Sequence, residues 1–264
     1  MSGSELKGKT ALVTGASSGL GADFARELAS RGSDLILVAR REDMLKAVQR
    51  EIQEKHGVKV ESIVMDLSTE DAPQTLYDQI KSAGKTVDFL INNAGFGLYG
   101  VFIDIPWERE RELIQTDIIT LVHLTKLFVK DMLARNYGRI LQVSSIGAYQ
   151  PSPTYAVYSA AKSFVLYFGE AINYEMRKSN VRCMVISPGV TATEFLKVAG
   201  QKPSLYQRLT MMQSPVVTRI GIDKMLQGRS SVVPGLLNSV LALSTRLIPY
   251  QMSAMFAYRF MTIP

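Results

Sequence analysis

The chain has 264 residues, 47% of them hydrophobic, which is enough to bury the core of a single domain spanning 1–264. A lone cysteine, Cys183, excludes an internal disulfide, and two histidines without ligand spacing predict no metal site. The net charge of +6 is distributed over mixed-charge segments, with no nucleic-acid motif and no signal peptide pattern. We therefore expect a cytoplasmic protein that binds no nucleic acid.

Apolar runs of strand length alternate with amphipathic runs of helix length along the chain. The predicted strands are 9–14, 33–39, 58–65, 86–91, 138–144, 181–187 and 230–233. The predicted helices are 20–31, 42–55, 69–83, 107–135, 155–178 and 215–227. This alternation predicts an α/β fold of the Rossmann type: a doubly wound parallel sheet of about seven strands, with helices on both faces. Ligands of such sheets bind at the carboxyl ends of the strands.

A glycine-rich turn, Gly15-Ala16-Ser17-Ser18-Gly19-Leu20-Gly21, follows the first predicted strand. Glycines let the backbone turn tightly and approach a pyrophosphate, and the helix start behind them offers unpaired N–H groups. The spacing G-x-x-x-G-x-G differs from the common G-x-G-x-x-G fingerprint, and a strand–helix turn of this kind can also lack a ligand. Its place between a strand and a helix favours nucleotide binding. The expected contacts are Gly15, Ser17, Ser18, Gly19, Leu20 and Gly21.

The second predicted strand ends at Ala39, where folds that bind NAD carry an acidic residue, and Arg40 and Arg41 follow. A carboxylate there would repel a 2′-phosphate, whereas a guanidinium binds it through a forked hydrogen bond. We therefore expect NADP(H) rather than NAD(H), with Arg40 on the phosphate. Arg41 either shares this role or faces water.

Three candidate catalytic residues surround the fifth predicted strand. Ser145 follows it, and Tyr158 and Lys162 stand four apart in the next helix, so they share a helix face. An ammonium beside a phenol favours the phenolate and lowers its pKa from about 10 toward the working range. A tyrosine tuned in this way passes a proton to or from an alcohol oxygen.

Together these motifs resemble the short-chain dehydrogenase/reductase superfamily in its single-domain form. The matching residues are 14–21, Asp66, Asn92-Asn93-Ala94-Gly95, Ser145, Tyr158, Lys162 and Pro188-Gly189, in the family's order. The resemblance implies an NADP(H)-dependent oxidoreductase that interconverts a ketone or aldehyde and its alcohol by hydride transfer.

The resemblance also implies a role for each matching residue. Ser145 would donate a hydrogen bond to the substrate carbonyl, Tyr158 would supply the proton, and Lys162 would bind the nicotinamide ribose and lower the Tyr158 pKa. Asp66 would contact the adenine ring. The other expected cofactor contacts are Leu67, Asn93, Ala94, Gly95, Pro188, Gly189, Val190, Thr191 and Thr193.

One position departs from the family pattern. The family commonly places an asparagine in the helix before the serine strand, where it anchors a water that relays protons to the lysine. The matching residue here is Asp117. A carboxylate still accepts a hydrogen bond from water, but its charge favours protonated Lys162 and would slow the relay.

Two segments are expected to shape the substrate site. The pattern of residues 190–213 predicts a lid made of a loop and a helix. The stretches 96–102 and 148–155 flank Ser145 and are rich in aromatic, leucine and proline side chains. No charged residue stands out as a partner for the substrate. We therefore expect a small-molecule substrate that is an apolar ketone, aldehyde or alcohol.

Residues 234–264 form an apolar helical extension that is too short and interrupted to span a membrane. Three roles stay open for it: the interface of a homo-oligomer (dimer or tetramer), the wall of a pocket for a long substrate, and a peripheral membrane contact. A second function also stays open, that of a catalytically weak NADP(H)-binding regulator or scaffold. The trio Ser145, Tyr158 and Lys162 argues against that second function.

Overall fold

A parallel sheet forms the centre of the molecule. The computed structural model describes residues 5–262, and its strands are β1 (Thr10–Thr14), β2 (Asp34–Ala39), β3 (Val60–Val64), β4 (Phe89–Asn92), β5 (Gly138–Val143), β6 (Val181–Ile186), β7 (Thr191–Ala192), β8 (Met212–Gln213) and β9 (Ser231–Val232). Seven of them pair in the order β3-β2-β1-β4-β5-β6-β9, and β7 and β8 form a separate pair. The order reverses between β1 and β4, which places a crevice at the carboxyl ends of these strands.

Helices cover both faces of this sheet. They are α1 (Gly19–Ser30), α2 (Glu42–His56), α3 (Ala72–Ser82), α4 (Trp107–Ile114), α5 (Leu121–Ala134), α6 (Ala156–Glu175), α7 (Phe195–Ala199), α8 (Leu205–Thr210), α9 (Ser214–Leu226), α10 (Leu236–Ser244) and α11 (Tyr250–Thr262). One face carries α1, α2 and α9, and the other carries α3, α5 and α6. The predicted fold class, a doubly wound sheet of about seven strands, is confirmed.

The pleat of each strand explains why both faces are covered. Along β1, Ala11 and Val13 pack toward α1 and α2, while Leu12 packs toward α3 and α5. All three side chains are fully buried. A strand buried on both faces has a continuous run of apolar residues, and this run is what predicts β1 from the sequence.

The predicted helix 107–135 is wrong in one respect. It is interrupted by a π-helical turn, Gln115–Thr120, between α4 and α5. A π turn carries one more residue than an α turn, so it changes the faces to which the following side chains point. Apolar periodicity does not report this local widening. Asp117 lies within the turn, and the turn orients it toward the interior.

The lid and the extension add shorter elements. The lid, 190–213, contains β7, α7, α8 and β8, and the extension contains α10 and α11. The last two residues of the extension, 263–264, lie outside the described residues. No helix among the described residues has both the length and the apolar character that crossing a membrane requires.

Candidate active site

A cavity of about 520 Å³ opens at the carboxyl ends of the central strands. Segments that follow β1, β2, β3, β4, β5 and β6 all contribute to its wall. The cofactor contacts expected from the sequence line it together, namely Gly15, Ser17, Ser18, Gly19, Leu20, Gly21, Arg40, Asp66, Leu67, Asn93, Ala94, Gly95, Tyr158, Lys162, Pro188, Gly189, Val190, Thr191 and Thr193. Ser145 and Arg41 line it as well. Asp117 does not line the cavity and is fully buried behind Lys162.

The glycine-rich turn is held against β4. Gly15 has φ +67°, a left-handed conformation that side chains other than glycine rarely adopt. A Cβ on Gly21 would overlap the Gly15 carbonyl oxygen, so the start of α1 lies directly on the turn. Asn93 Nδ2 donates to the Thr14 carbonyl at 2.9 Å, and the Asn93 backbone N donates to Thr14 Oγ1 at 3.0 Å. These bonds present the backbone of the turn to the cavity.

The two arginines after β2 have different neighbours. Arg40 Nη1 donates to Glu112 Oε1 at 2.8 Å and lies 3.7 Å from Asp66 Oδ2. Arg41 Nη2 donates to Ser18 Oγ at 2.5 Å. Arg41 Nη1 donates to Glu194 Oε2 at 3.1 Å. Arg41 is therefore the arginine that contacts the glycine-rich turn directly, a proximity that the sequence left undecided.

Ser145 and Tyr158 both line the cavity, with their hydroxyl groups within hydrogen-bonding reach of each other. Ser145 Oγ caps the short turn Ile146–Tyr149 by accepting from Gly147 N at 3.1 Å. Burial raises the pKa of the Tyr158 phenol above its usual 10, and the Lys162 charge and the Ser145 hydroxyl oppose that rise. The expected lowering of this pKa is therefore wrong for the free protein, because the loss of solvent around the phenol outweighs the nearby ammonium.

Lys162 forms a buried ion pair with Asp117. Its Nζ lies 3.0 Å from Asp117 Oδ2 and donates to the Val143 carbonyl at 3.1 Å. Burial alone would lower the Lys162 pKa, but the charge of Asp117, aided by Tyr158, reverses the effect and raises it. Burial raises the pKa of the Asp117 carboxyl, against the opposing pull of Lys162. Phe96 N also donates to Asp117 Oδ1, at 3.3 Å.

Aromatic rings continue the cavity away from the glycine-rich turn. The ring centroids of Tyr155 and Tyr158 are 5.7 Å apart, and those of Tyr158 and Phe195 are 5.4 Å apart. Tyr155 Oη donates to Gln201 Oε1 at 2.8 Å, which ties the start of α6 to the lid. Leu196 of the lid lines the same wall.

Gln207 and Met261 also line the cavity. The sequence named neither as a contact, although Gln207 lies in the predicted lid and Met261 in the extension, for which a pocket wall was one of the open roles. Met261 belongs to α11 and stands 99 positions after Lys162, the last of the three candidate catalytic residues. Local patterns carry no signal for such a distant contact. Among residues 5–262, no three His, Cys, Asp or Glu side chains cluster as the ligands of a metal would.

Known proteins match this chain across most of its length. A family model described as short chain dehydrogenase matches residues 9–204. The very-long-chain 3-oxoacyl-CoA reductase of Rattus norvegicus is 32% identical over 243 residues, which cover 89% of this chain and 76% of that protein.

Solved structures share the fold. A short-chain dehydrogenase from Sphingobium yanoikuyae in complex with NADPH is 26% identical, with a TM-score of 0.80 over 90% of this chain and 94% of that one. A structure concerning 7β-hydroxysteroid dehydrogenase stereoselectivity is 24% identical, with a TM-score of 0.87 over 97% and 99% of the two chains. The second likeness shows the fold alone. The chain belongs to the short-chain dehydrogenase family, whose members are oxidoreductases.

Proposed function

We propose that this protein is an NADP(H)-dependent reductase of apolar ketones or aldehydes that also runs the reverse oxidation. One observation carries the proposal. A single cavity joins the glycine-rich turn, two arginines, the trio Ser145, Tyr158 and Lys162, and an apolar wall. A dinucleotide and a carbonyl compound would thus meet at Tyr158.

The residues of the cavity fit NADP(H). The glycine-rich turn and the start of α1 offer backbone N–H groups for a pyrophosphate. Arg40 and Arg41 offer two guanidinium groups beside that turn. Their charged partners are the exposed carboxylates of Asp66 and Glu194 and the half-buried one of Glu112, and ion pairs of exposed groups contribute at most about 1 kcal/mol. A 2′-phosphate would therefore displace these partners at small cost.

The chemistry follows from the neighbours of Tyr158. When bound, NADPH supplies the hydride that the carbonyl carbon accepts. Ser145 Oγ donates a hydrogen bond to the carbonyl oxygen, and Tyr158 Oη delivers its proton to that oxygen as negative charge develops there. The charge of Lys162 lowers the pKa of Tyr158 and stabilises the phenolate left on it, while the charge of Asp117 opposes this effect.

The wall of the cavity favours a substrate with a hydrocarbon chain. Phe195, Leu196 and Val198 of the lid and Met261 of α11 provide apolar surface beyond Tyr158. The rat relative is, by its name, a reductase of very-long-chain 3-oxoacyl-CoA. This name supports a ketone on a long acyl chain as the preferred substrate class.

The proposal is tested by following NADPH oxidation with ketones and aldehydes of increasing chain length, with wild type beside Tyr158→Phe. We expect the rate to rise with chain length and to fall by about a hundredfold or more in the variant, since a positioned proton donor contributes at least that much. NADPH binding, measured by nicotinamide fluorescence, should be unchanged. Tyr174→Phe, an exposed tyrosine on the same helix, is the matched control.

Two results would contradict the proposal. Equal turnover by wild type and Tyr158→Phe would remove Tyr158 from the reaction. Tight NADPH binding without turnover of any compound would favour the alternative, a catalytically weak NADP(H)-binding regulator or scaffold. The Asp117–Lys162 ion pair is the feature that favours this alternative, because it engages the lysine that the reaction needs.

A further inference from the structure

The two helices of the extension are arranged with their large apolar side chains outward. In α10 the residues that face the protein are Asn238 and Ala242, each 3% exposed, whereas Leu236 is 83% exposed and Leu243 is 62% exposed. A helix that packs only on its own domain buries its leucines and exposes its polar residues. The leucines of α10 therefore face a second apolar environment.

The same inversion occurs in α11. Ser253 and Ala257 are buried against the protein, and Met252, Met255 and Phe256 are exposed. Small buried residues let the helix lie close to its neighbours, while the bulky side chains point away. Single exposed leucines scattered over a surface are ordinary, but two successive helices that both point their large apolar side chains outward are not.

The lid extends this apolar surface. Its helices expose Val198, Leu205 and Leu209, and α8 packs against α11. A hydrogen bond of 3.2 Å from Gln201 Nε2 to the Met261 carbonyl joins the lid to α11. We call the exposed apolar side chains of α7, α8, α10 and α11 the C-terminal face. They are Val198, Leu205, Leu209, Leu236, Leu237, Val240, Leu243, Met252, Met255, Phe256 and Phe260.

Basic residues accompany the C-terminal face almost without acidic ones. From the start of the lid at Val190 to its last residue the sequence has eight Lys and Arg and two acidic residues, Glu194 and Asp223. Glu194 is bound to Arg41 at 3.1 Å and Asp223 to Arg31 of α1 at 2.7 Å, so both carboxylates are already paired with basic residues outside the face. Five of the basic residues are exposed on or next to the lid and the extension, namely Lys197, Lys202, Arg208, Arg246 and Arg259.

We propose that the C-terminal face docks on the surface of an anionic lipid bilayer. Exposed apolar side chains enter the boundary between headgroups and acyl chains, and basic side chains beside them bind anionic headgroups. A second copy of the chain fits less well. In a symmetric dimer this face would meet itself, placing basic residues against basic residues with no acidic partner between them.

Docking in this orientation has a consequence for access to the cavity. Leu196 and Val198 of the lid and Met261 of α11 line the cavity that contains Tyr158. The opening they border would face the bilayer, so an apolar substrate would enter from the lipid. This consequence rests on the proposed function, but the docking itself does not.

Flotation of the full-length protein with vesicles tests the docking without any measurement of turnover. The vesicles are phosphatidylcholine alone or phosphatidylcholine with phosphatidylglycerol. We expect wild type to float with the anionic vesicles. The variant Leu236→Gln, Leu243→Gln, Met255→Gln should bind them at least about tenfold more weakly, because it loses three apolar side chains that would enter the bilayer. Its substitutions are at exposed positions, so it should unfold at the temperature of wild type.

A charge variant separates the electrostatic contribution. Arg246→Gln with Arg259→Gln should weaken binding to anionic vesicles by roughly twentyfold, since each basic residue near such a surface contributes about fivefold. Arg50→Gln with Lys55→Gln removes the same charge from α2 and should bind as wild type. The apolar control is Met44→Gln in α2 with Val64→Gln in β3, the edge strand opposite β9.

Three outcomes would overturn the proposal. In the first, wild type would remain unbound with both kinds of vesicle. In the second, the control variants would lose as much binding as the variants with substitutions in or beside the C-terminal face. Alternatively, sedimentation would show that wild type forms an oligomer that the leucine and methionine variant dissociates, which would assign the face to a second copy.

Discussion

Asp117 is the residue that most distinguishes this site from the family pattern. Its carboxylate lies 3.0 Å from Lys162 Nζ, within the protein and away from the cavity. The charge of Asp117 raises the pKa of Lys162, so the ammonium persists to higher pH than in a free lysine. The same charge also contributes to the raised pKa of Tyr158.

Replacing Asp117 with Asn should move the pH dependence of alcohol oxidation to lower pH. Oxidation needs the Tyr158 phenolate, which forms as pH rises through the pKa of the phenol. Asp117 raises that pKa, so its removal lowers it, and the rising limb of the rate profile shifts toward acid. The measurement is the initial rate with NADP and a secondary alcohol across pH. Asp104→Asn, at an exposed position, is the control, and a profile that does not move would contradict the prediction.

Arg41 should contribute to the preference for NADPH together with Arg40. Because Arg41 contacts Ser18 in the glycine-rich turn, Arg41→Ala should weaken NADPH binding by about tenfold to a hundredfold, the range expected for one charged hydrogen-bonding partner. NADH binding should change little. Titration of both cofactors into wild type, Arg41→Ala, Arg40→Ala and the exposed control Arg50→Ala measures this. Unchanged ratios of NADPH to NADH affinity in both cavity variants would contradict it.

At the scale of elements, two turns determine where the reacting groups lie. The glycine-rich turn between β1 and α1 brings backbone to the cavity, and the π-helical turn before α5 brings Asp117 to Lys162. The first was predictable because glycines have a distinctive composition and position. The second was not, because a π turn differs from an α turn by one residue in its hydrogen bonding and leaves no mark in the residue types.

The contact of α1 with the glycine-rich turn predicts a large effect at Gly21. A methyl group there overlaps the Gly15 carbonyl oxygen and crowds Asn93 Nδ2, so Gly21→Ala should lower the free energy of unfolding by about 3 kcal/mol or more. Gly84→Ala is the control: φ is +67° there with no atom within 4 Å, so only about 1 kcal/mol of backbone strain is expected. Urea denaturation measures both. Equal effects would mean that the turn yields to the methyl group.

At the scale of the whole molecule, the sequence was a good guide to whatever is local. The strands, the fold class and the places of Ser145 and Tyr158 followed from apolar runs and short motifs. Contacts between distant segments did not follow. Met261 lines the cavity with no motif around it, and the outward leucines of α10 read only as an apolar stripe. Which side of a helix faces the protein depends on its tertiary neighbours.

Gln201 joins three distant parts of the molecule. Its side chain accepts from Tyr155 Oη at 2.8 Å and from Gln207 Nε2 at 3.0 Å, and it donates to the Met261 carbonyl at 3.2 Å. Gln201→Ala should lower the free energy of unfolding by roughly 2 kcal/mol, because buried polar partners are left unsatisfied. Thermal unfolding tests this beside Gln79→Ala, an exposed control. A change no larger than that of the control would contradict it.

The hydrogen bonds of Gln201 also connect the C-terminal face with the wall of the cavity. Tyr155 packs beside Tyr158, and Met261 belongs to the helix proposed to meet lipid, so the bonds of Gln201 connect that helix to the wall of the cavity. Thermodynamic reciprocity then applies in both directions. By whatever factor a lipid surface strengthens the hold on a ligand in the cavity, that ligand strengthens the hold on the surface by the same factor. If that factor is above one, a protein with a ligand in the cavity would stay on the bilayer longer than an empty one.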